Sequence, residues 1–371
     1  MSTNLRERPV APEVDQSLTG GQLNKWIPLA TLVVCVVVMT ALMAMFNPDA
    51  KMFGLLVGGI ISGGLVALVV IFALSWSVEG RRRAMNRTMA FVIFGAFLLA
   101  CLPLFSILYT TITNGLHRFD IEFFTETMRN VKPTADHGGA LHAITGTLIV
   151  TGLATIISVP IGLFTAIYLV EYGKGTLKRA ITFLVDVMTG IPSIVAGLFA
   201  YSLLSLVLGP SKSGLAGAVA LCVLMIPYIV RNCEEIIRLV PDKLREASYA
   251  LGVTKWRTIV KIVLPTSISG IVSAVIIAIA RIIGETAPLL ITMGYTASMN
   301  TNPIPTPNQP INNMTALPVM VYYQYMQAPG RNPDASYARS WAGALVLVLI
   351  VMLLNIVGRW VAKKFAPKIN R

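Results

Sequence analysis

The chain has 371 residues, 55% of them hydrophobic and only 13% charged, with a mean hydropathy of +0.71. Soluble globular chains carry fewer apolar residues and about a quarter charged ones, so this composition excludes a soluble protein and points to an all-α polytopic membrane protein. The net charge of +13 is distributed beside apolar runs, the pattern of membrane topology and not of a nucleic-acid partner. The 4 cysteines lie within or at the ends of apolar runs with no C-x-x-C pair, and the 3 histidines lack an H-E-x-x-H arrangement, so neither disulfides nor a metal site is expected.

Residues 1–25 are polar, aperiodic and rich in charge and Pro/Gly, and they read as a disordered tail, not a cleavable signal peptide. Eight apolar runs long enough to span a bilayer follow, at roughly Trp26 to Phe46, Phe53 to Trp76, Met89 to Ile112, Leu141 to Val170, Ala180 to Leu208, Leu215 to Val230, Thr266 to Met293 and Trp341 to Val361. The first two form a hairpin, 26–88, ahead of a six-span domain, 89–371, whose polar loop 231–265 is the longest with helix signals at both ends. In the second run Gly54, Gly58, Gly59 and Gly63 form a small-residue stripe suited to close helix packing, within this chain or against another subunit. Arg81, Arg82, Arg83 and Arg87 read as a topology anchor.

The segment from Thr113 to Ala140 mixes acids and bases like a solvated surface. From Leu141 onward the spans acquire prolines and small polar residues, including Thr147, Ser158, Pro160, Pro192, Ser193, Pro227 and Pro288. Such breaks are tolerated at membrane depth where protein or a water-filled cavity covers the freed carbonyls, which favours a pathway over a passive anchor. The ionisable residues Asp186, Arg281 and Glu285 lie within runs. Asp186 reads as an interfacial partner near the inner end of the fifth. Arg281 and Glu285, one turn apart on a continuous helix, share a face. Two readings of that pair stay open: an ion pair that neutralises both residues, or an anion station in which Arg offers a fork of donors and an ionised Glu accepts a hydrogen bond from a protonated oxyanion. The long stretch Tyr295 to Ser340 contains an aromatic segment, Thr315 to Tyr325, that fits a short helix at the outer interface.

If the N-terminus is cytoplasmic, 22 of the 30 basic residues fall in inner segments and 7 in outer ones, with Arg281 inside a span. Both termini and the loop 231–265 are then cytoplasmic. Within that loop Pro241 and Asp242 open a two-turn helix that Gly252 can end, and Leu244, Ala247, Ser248 and Leu251 share one face, away from Lys243, Arg245 and Glu246. A second helix, capped by Thr254 and with Trp256, Ile259, Val260 and Val263 on one stripe, suits the lipid interface.

Glu246, Ala247, Gly252, Ile262, Leu264 and Pro265 match the E-A-A-x3-G-x9-I-x-L-P signature at every fixed offset, with Ser248 at the second Ala. The chain thereby resembles the permeases of ATP-binding-cassette importers. The strings GIPSIVAGLF from Gly190, LPTSISGIV from Leu264, RIIGETAPLL from Arg281 and TALPVMVYY from Thr315 are similar to their phosphate-importer, PstA-like branch. The resemblance covers about Leu141 to the C-terminus, and the leading hairpin departs from the usual six-span plan.

It implies a MetI-like permease domain in a bacterial inner membrane, paired with a sister permease, two ATPase subunits and an extracytoplasmic phosphate-binding protein. It also implies a coupling segment comprising Arg245, Glu246, Ala247, Gly252, Leu264 and Pro265, and a substrate pathway through Ser193, Arg281, Glu285 and Thr286. The chain has no G-x-x-x-x-G-K-[ST] loop, so ATP and Mg belong to the partner and no cofactor is expected on this chain. A permease of the same family for sulfate or molybdate is the nearest alternative, and a secondary transporter, for which no inverted repeat is evident, is a more distant one.

Overall fold

In the computed structural model the described residues are 23–24, 26–46, 52–209, 212–305, 311–326, 328 and 334–365. The expected tail, apart from Leu23 and Asn24, lies outside them. All regular structure among the described residues is helical. The chain divides into two compact units that meet between Ile107 and Leu108.

The first unit holds α1 (Ile27–Phe46), α2 (Met52–Glu79) and most of α3 (Arg81–Gly115). Gly58, Gly59 and Gly63 of α2 face Met43, Thr40 and Val36 of α1, the descending order of an antiparallel hairpin. A Cβ on Gly63 would lie 2.5 Å from the Val36 Cα, so three of the four stripe glycines serve packing inside this chain. At the end of α2, Gly80 turns the backbone with φ +83, a conformation costly for residues with a Cβ. Beside it Glu79 accepts hydrogen bonds from Ser75 Oγ (2.7 Å), Leu23 N (2.8 Å) and Arg87 Nη2 (2.8 Å).

The second unit begins with the end of α3 and a short helix α4 (Ile121–Thr125), whose N-cap Asp120 accepts a bond from Phe123 N. It continues through α5 (Leu141–Ile167), which passes into a π turn at Tyr168–Tyr172, and then α6 (Gly175–Thr189), α7 (Ser193–Leu208) and α8 (Gly214–Arg238). After these come α9 (Asp242–Ala250), α10 (Lys255–Thr258), a second π turn at Ile259–Val263, α11 (Leu264–Ile282), α12 (Ala287–Thr292), α13 (Leu317–Met326) and α14 (Asp334–Phe365). The core is organised on α8: Leu221, Met225, Ile229, Cys233 and Ile237 recur at helical spacing, are fully buried, and belong to one cluster with Val150 and Ala154 of α5 and Ile271, Ala274 and Ala278 of α11. Gly162 permits the close passage, since a Cβ there would meet the Ile229 side chain at 2.7 Å.

Among the described residues seven helices are long and apolar enough to cross a membrane, and an eighth span is made if the bent pair α6 and α7 counts as one. The fifth expected span is thus not a continuous helix. It bends by 110° between Thr189 and Ser193, where Gly190 is a weak helix former and Pro192 lacks the N–H to continue the ladder. The sixth runs on to Arg238, longer than the apolar run suggests, because its last two turns carry Arg231, Glu234 and Arg238 as ion-paired helical residues. Asp186 of α6 pairs with Arg231.

Two further expectations are corrected. The segment after Thr254 is not a separate interfacial helix; Lys255–Ile282 forms one long helical span containing the π turn. The segment around Leu317 forms the expected short helix, but its first turn is not a surface: Leu317, Pro318, Val319 and Met320 are buried, and the Leu317 N–H donates to Thr147 Oγ1 of α5 at 2.7 Å, while Tyr322, Tyr325 and Met326 stay exposed. The hydropathy of that segment suited burial in protein as well as in lipid.

Arg339, near the start of α14, is fully buried. It donates to the carbonyls of Pro133 (2.7 Å) and Ala135, to Gln324 Oε1 (3.1 Å) and to Ser336 Oγ (3.2 Å), and so ties the 133–137 segment to α13 and α14. Arg339→Ala removes the donors of these part-buried acceptors and of buried Ser336, a loss of about 1–3 kcal/mol for each acceptor left without a partner. The expected result is a lower unfolding temperature and faster tryptic cleavage at Arg129, measured on the purified chain in detergent, with Arg339→Lys unable to restore the parent behaviour.

Candidate functional site: a clamped surface turn and a paired helix break

The first neighbourhood is the turn from α8 through α9 into α10. Pro241 occupies the N-cap of α9 with φ −60 and ψ 135, and Asp242 lies in the first turn, where the helix dipole favours a carboxylate. Gly252 has φ +75, and its N–H donates to the Tyr249 carbonyl (2.9 Å) while Val253 N donates to the Ser248 carbonyl (3.2 Å). This is a left-handed stop, and glycine enters it without the Cβ clash other residues meet. Thr254 takes the next N-cap position without a side-chain cap bond.

Arg245 is largely buried and is the clamp of this turn. Its Nε donates to Glu171 Oε1 (3.0 Å), Nη1 to the Val240 carbonyl (2.6 Å) and Asp242 Oδ1 (3.0 Å), and Nη2 to the Ile237 carbonyl (3.1 Å). Glu171, 74 residues away, is itself only 5% exposed at its side chain. Lys255 donates to the Glu171 carbonyl and lies over the Tyr172 ring, 4.9 Å from its centroid. Buried Ser248 and Thr258 join α9 to α10 through their hydroxyls, 2.8 Å apart.

The apolar face of α9 therefore does not turn inward as a whole. Ser248 is buried, but Leu244, Ala247 and Leu251 are exposed beside Glu246 and Tyr249, and Leu251 keeps 83% of its surface. Of the six expected coupling residues, Glu246 and Ala247 face outward and Gly252 makes the turn. Arg245 points inward, because a guanidinium in reach of Glu171, Asp242 and the Ile237 and Val240 carbonyls is better satisfied there than in solvent. Leu264 packs on the core. Pro265 shapes the helix: it removes the N–H that would bond the Lys261 carbonyl, the preceding π turn absorbs the misfit, and Thr266 Oγ1 and Ser267 Oγ donate to the Ile262 (2.6 Å) and Val263 (2.8 Å) carbonyls. Arg245→Ala leaves Glu171 buried and unpaired, so α9 is expected to loosen. Hydrogen exchange at residues 242–251 reports this as protection lost by about a hundredfold or more while the α8 core stays protected, on the order of the 3–5 kcal/mol for breaking a buried pair.

The second neighbourhood is a pair of helix breaks. α11 ends at Ile282 and α12 begins at Ala287; Gly284 is a weak helix former, and Pro288 lacks the N–H that would bond its carbonyl. The other break, Gly190–Pro192, leads into α7. Gly197, one turn into α7, lies against α12 so closely that a Cβ there would be 2.7 Å from the Pro288 Cα. The two interrupted spans thus meet side by side just beyond their breaks.

Arg281 is the penultimate residue of α11, is exposed, and stacks on the Tyr228 ring of α8 with its guanidinium carbon 4.8 Å from the ring centroid. Glu285 lies in the break and is half-buried. The expected shared helical face of Arg281 and Glu285 is not formed, because the helix stops between them, and among the described residues no ion pair joins them. The ion-pair reading is therefore overturned. Thr286 holds the N-cap position of α12 without a cap bond and lines a cleft of about 370 Å³ with Pro318, Tyr322, Tyr325 and Ser340. Ser193 opens α7 at the other break. A cation at this depth whose recorded contact is an aromatic face needs water or a ligand for its donors, which the interrupted backbone allows. Sequence reading missed Glu171 and Tyr228. Glu171 lies one residue past its apolar run, and nothing local links Tyr228 to Arg281.

Residues 158–371 match the family of binding-protein-dependent transport system inner membrane components. Over 278 residues the chain is 44% identical to the phosphate transport system permease protein PstA 1 of Mycobacterium tuberculosis strain H37Rv, covering 74% of this chain and 87% of that one. It is 39% identical over 292 residues to the phosphate transport system permease protein PstA of Yersinia pestis, covering 78% and 92%. Its fold is similar to a chain of a bacterial alginate ABC transporter crystallised with an alginate pentasaccharide-bound periplasmic protein, with a TM-score of 0.53, 17% identity, and 75% and 98% of the two chains covered.

Proposed function

The chain belongs to the binding-protein-dependent transport system inner membrane component family, on its PstA branch, and we propose that it is the permease subunit of an ATP-driven phosphate importer. It is a multi-pass membrane transport component and not itself an enzyme. In this reading it pairs with a sister permease, receives phosphate from an extracytoplasmic binding protein, and draws energy from two ATPase subunits that hold ATP and Mg. The observation that carries the coupling assignment is α9: a short helix clamped from behind by Arg245 and Glu171, stopped by Gly252, and presenting Leu244, Glu246, Ala247 and Leu251 outward. Clamped so, it transmits a push to α5, α8 and α11 instead of absorbing it.

Alternating access follows as a population shift. ATP-driven closure of the ATPase pair brings the coupling helices together and favours the outward-open state, and hydrolysis returns the spans inward. Arg281 and the break at Ile283–Thr286 lie on the pathway, with the guanidinium donating to the oxyanion and the Glu285 carboxylate accepting a hydrogen bond from the O–H of monohydrogen phosphate. Sulfate lacks that proton and meets an unpaired negative charge. Both termini and α9 face the cytoplasm, and the 26–88 hairpin is an appendage to a 89–371 permease domain. A photo-crosslinker at position 246 tests the assignment. Capture of the ATPase subunit from the assembled complex supports it, and labelling of lipid alone sinks it.

A further inference from the structure

The junction between α2 and α3 carries more positive charge than its fold uses. Of its four arginines, Arg87 pairs with Glu79 at 2.8 Å, whereas Arg81, Arg82 and Arg83 are exposed and, among the described residues, have no carboxylate within ion-pair distance. Glu79 is itself spent: its side chain is 3% exposed and receives Ser75, Leu23 and Arg87. Arg87 Nη1 is buried and has no hydrogen-bond partner among the described residues. Two clefts flank Asn86, one of about 480 Å³ that Arg83 and Arg87 line and one of about 570 Å³ lined by Arg81, Arg82, Met85 and Met89.

Directly beyond the arginines α3 becomes apolar and stays exposed, through Met85, Met89, Ile93 and Phe97, and none of its most apolar stretch is buried within the chain. Unpaired guanidiniums thus sit at the head of an apolar track where a helix leaves the bilayer. We propose that this junction is a binding site for the phosphate headgroup of an anionic phospholipid, with the acyl chains lying along α3 from Met85 to Phe97. Guanidiniums bind phosphodiester oxygens with paired donors, basic clusters at a span end select anionic lipid, and the apolar track distinguishes a lipid from free phosphate.

The test is native mass spectrometry of the full chain in detergent, titrated with phosphatidylglycerol, phosphatidylcholine or inorganic phosphate. Phosphatidylglycerol is expected to bind at least about tenfold tighter than phosphatidylcholine, and millimolar inorganic phosphate is expected not to displace it. A variant carrying R81Q, R82Q and R83Q, which leaves the Arg87–Glu79 pair in place, is expected to lose that preference, at about fivefold per arginine for roughly 1 kcal/mol each. A variant carrying lysines at the three positions is expected to keep most of it. Equal binding of the two lipids, an unchanged preference in the glutamine variant, or full displacement by inorganic phosphate would each overturn the proposal. Matching circular dichroism of the variants and the parent keeps loss of fold from being read as loss of lipid.

Discussion

Gly252→Ile is expected to reduce ATP-driven phosphate uptake more than tenfold while leaving the chain in the membrane. The residue holds φ +75 at the stop of α9, where a β-branched side chain is strained by about 1–3 kcal/mol. Relief of that strain unwinds the hydrogen bonds from Gly252 and Val253 to the Tyr249 and Ser248 carbonyls, and the outward face of α9 loses its fixed position. No heavy atom lies within 4 Å of a Cβ at this site, so the defect is conformational and not steric. Asparagine tolerates the left-handed region, which sets the order of uptake as Gly, Asn, Ala and then Ile. Uptake and the amount of co-purifying ATPase are measured together. Full uptake by the isoleucine variant would remove α9 from the coupling path.

Arg281→Ala is expected to abolish measurable uptake with assembly intact, a loss of about a hundredfold or more. Removing the guanidinium takes away the fork of donors offered to the oxyanion, and hydrogen bonds between charged groups contribute about 1.5–3 kcal/mol each. Arg281→Lys retains the charge but not the fork and is expected to fall between the two. Tyr228→Phe keeps the ring that the guanidinium stacks on and is expected to be nearly silent, whereas Tyr228→Leu removes a cation–π contact worth about 0.5–2 kcal/mol and is expected to lower uptake several-fold. Glu285→Gln discriminates further: it is expected to weaken the rejection of sulfate more than it weakens phosphate uptake. Normal uptake by Arg281→Ala would leave Arg281 a structural partner of Tyr228.

The turn around α9 was legible because its determinants are local. Pro241, Asp242 and Gly252 act within one short helix, and a glycine at a helix end carries its φ requirement in its identity. The clamp was not legible: Arg245 and Glu171 are 74 residues apart, and an arginine beside exposed charged neighbours gives no sign that it points inward. The spans were found by apolar length, but apolar length does not register direction. The run from Ala180 to Leu208 is long enough to cross, and only backbone geometry reveals the 110° bend at Gly190–Pro192. Gly284 and Pro288 carried the same warning for the seventh span, and the assumed helix through them placed Arg281 and Glu285 on one face, which the break undoes. At α13 an apolar and aromatic segment fits a membrane interface and a protein core equally well, and the structure divides it: Leu317–Met320 are buried, whereas Tyr322, Tyr325 and Met326 are exposed.

The most direct measurement of the central claim is uptake of labelled phosphate in cells whose only copy of this permease is the chain described, with ATP depleted or replenished and with sulfate as competitor. The account predicts uptake that requires ATP, persists when the proton gradient is collapsed, and is displaced by unlabelled phosphate but not by sulfate. Uptake that follows the proton gradient without ATP, or that sulfate displaces as well as phosphate does, would contradict it.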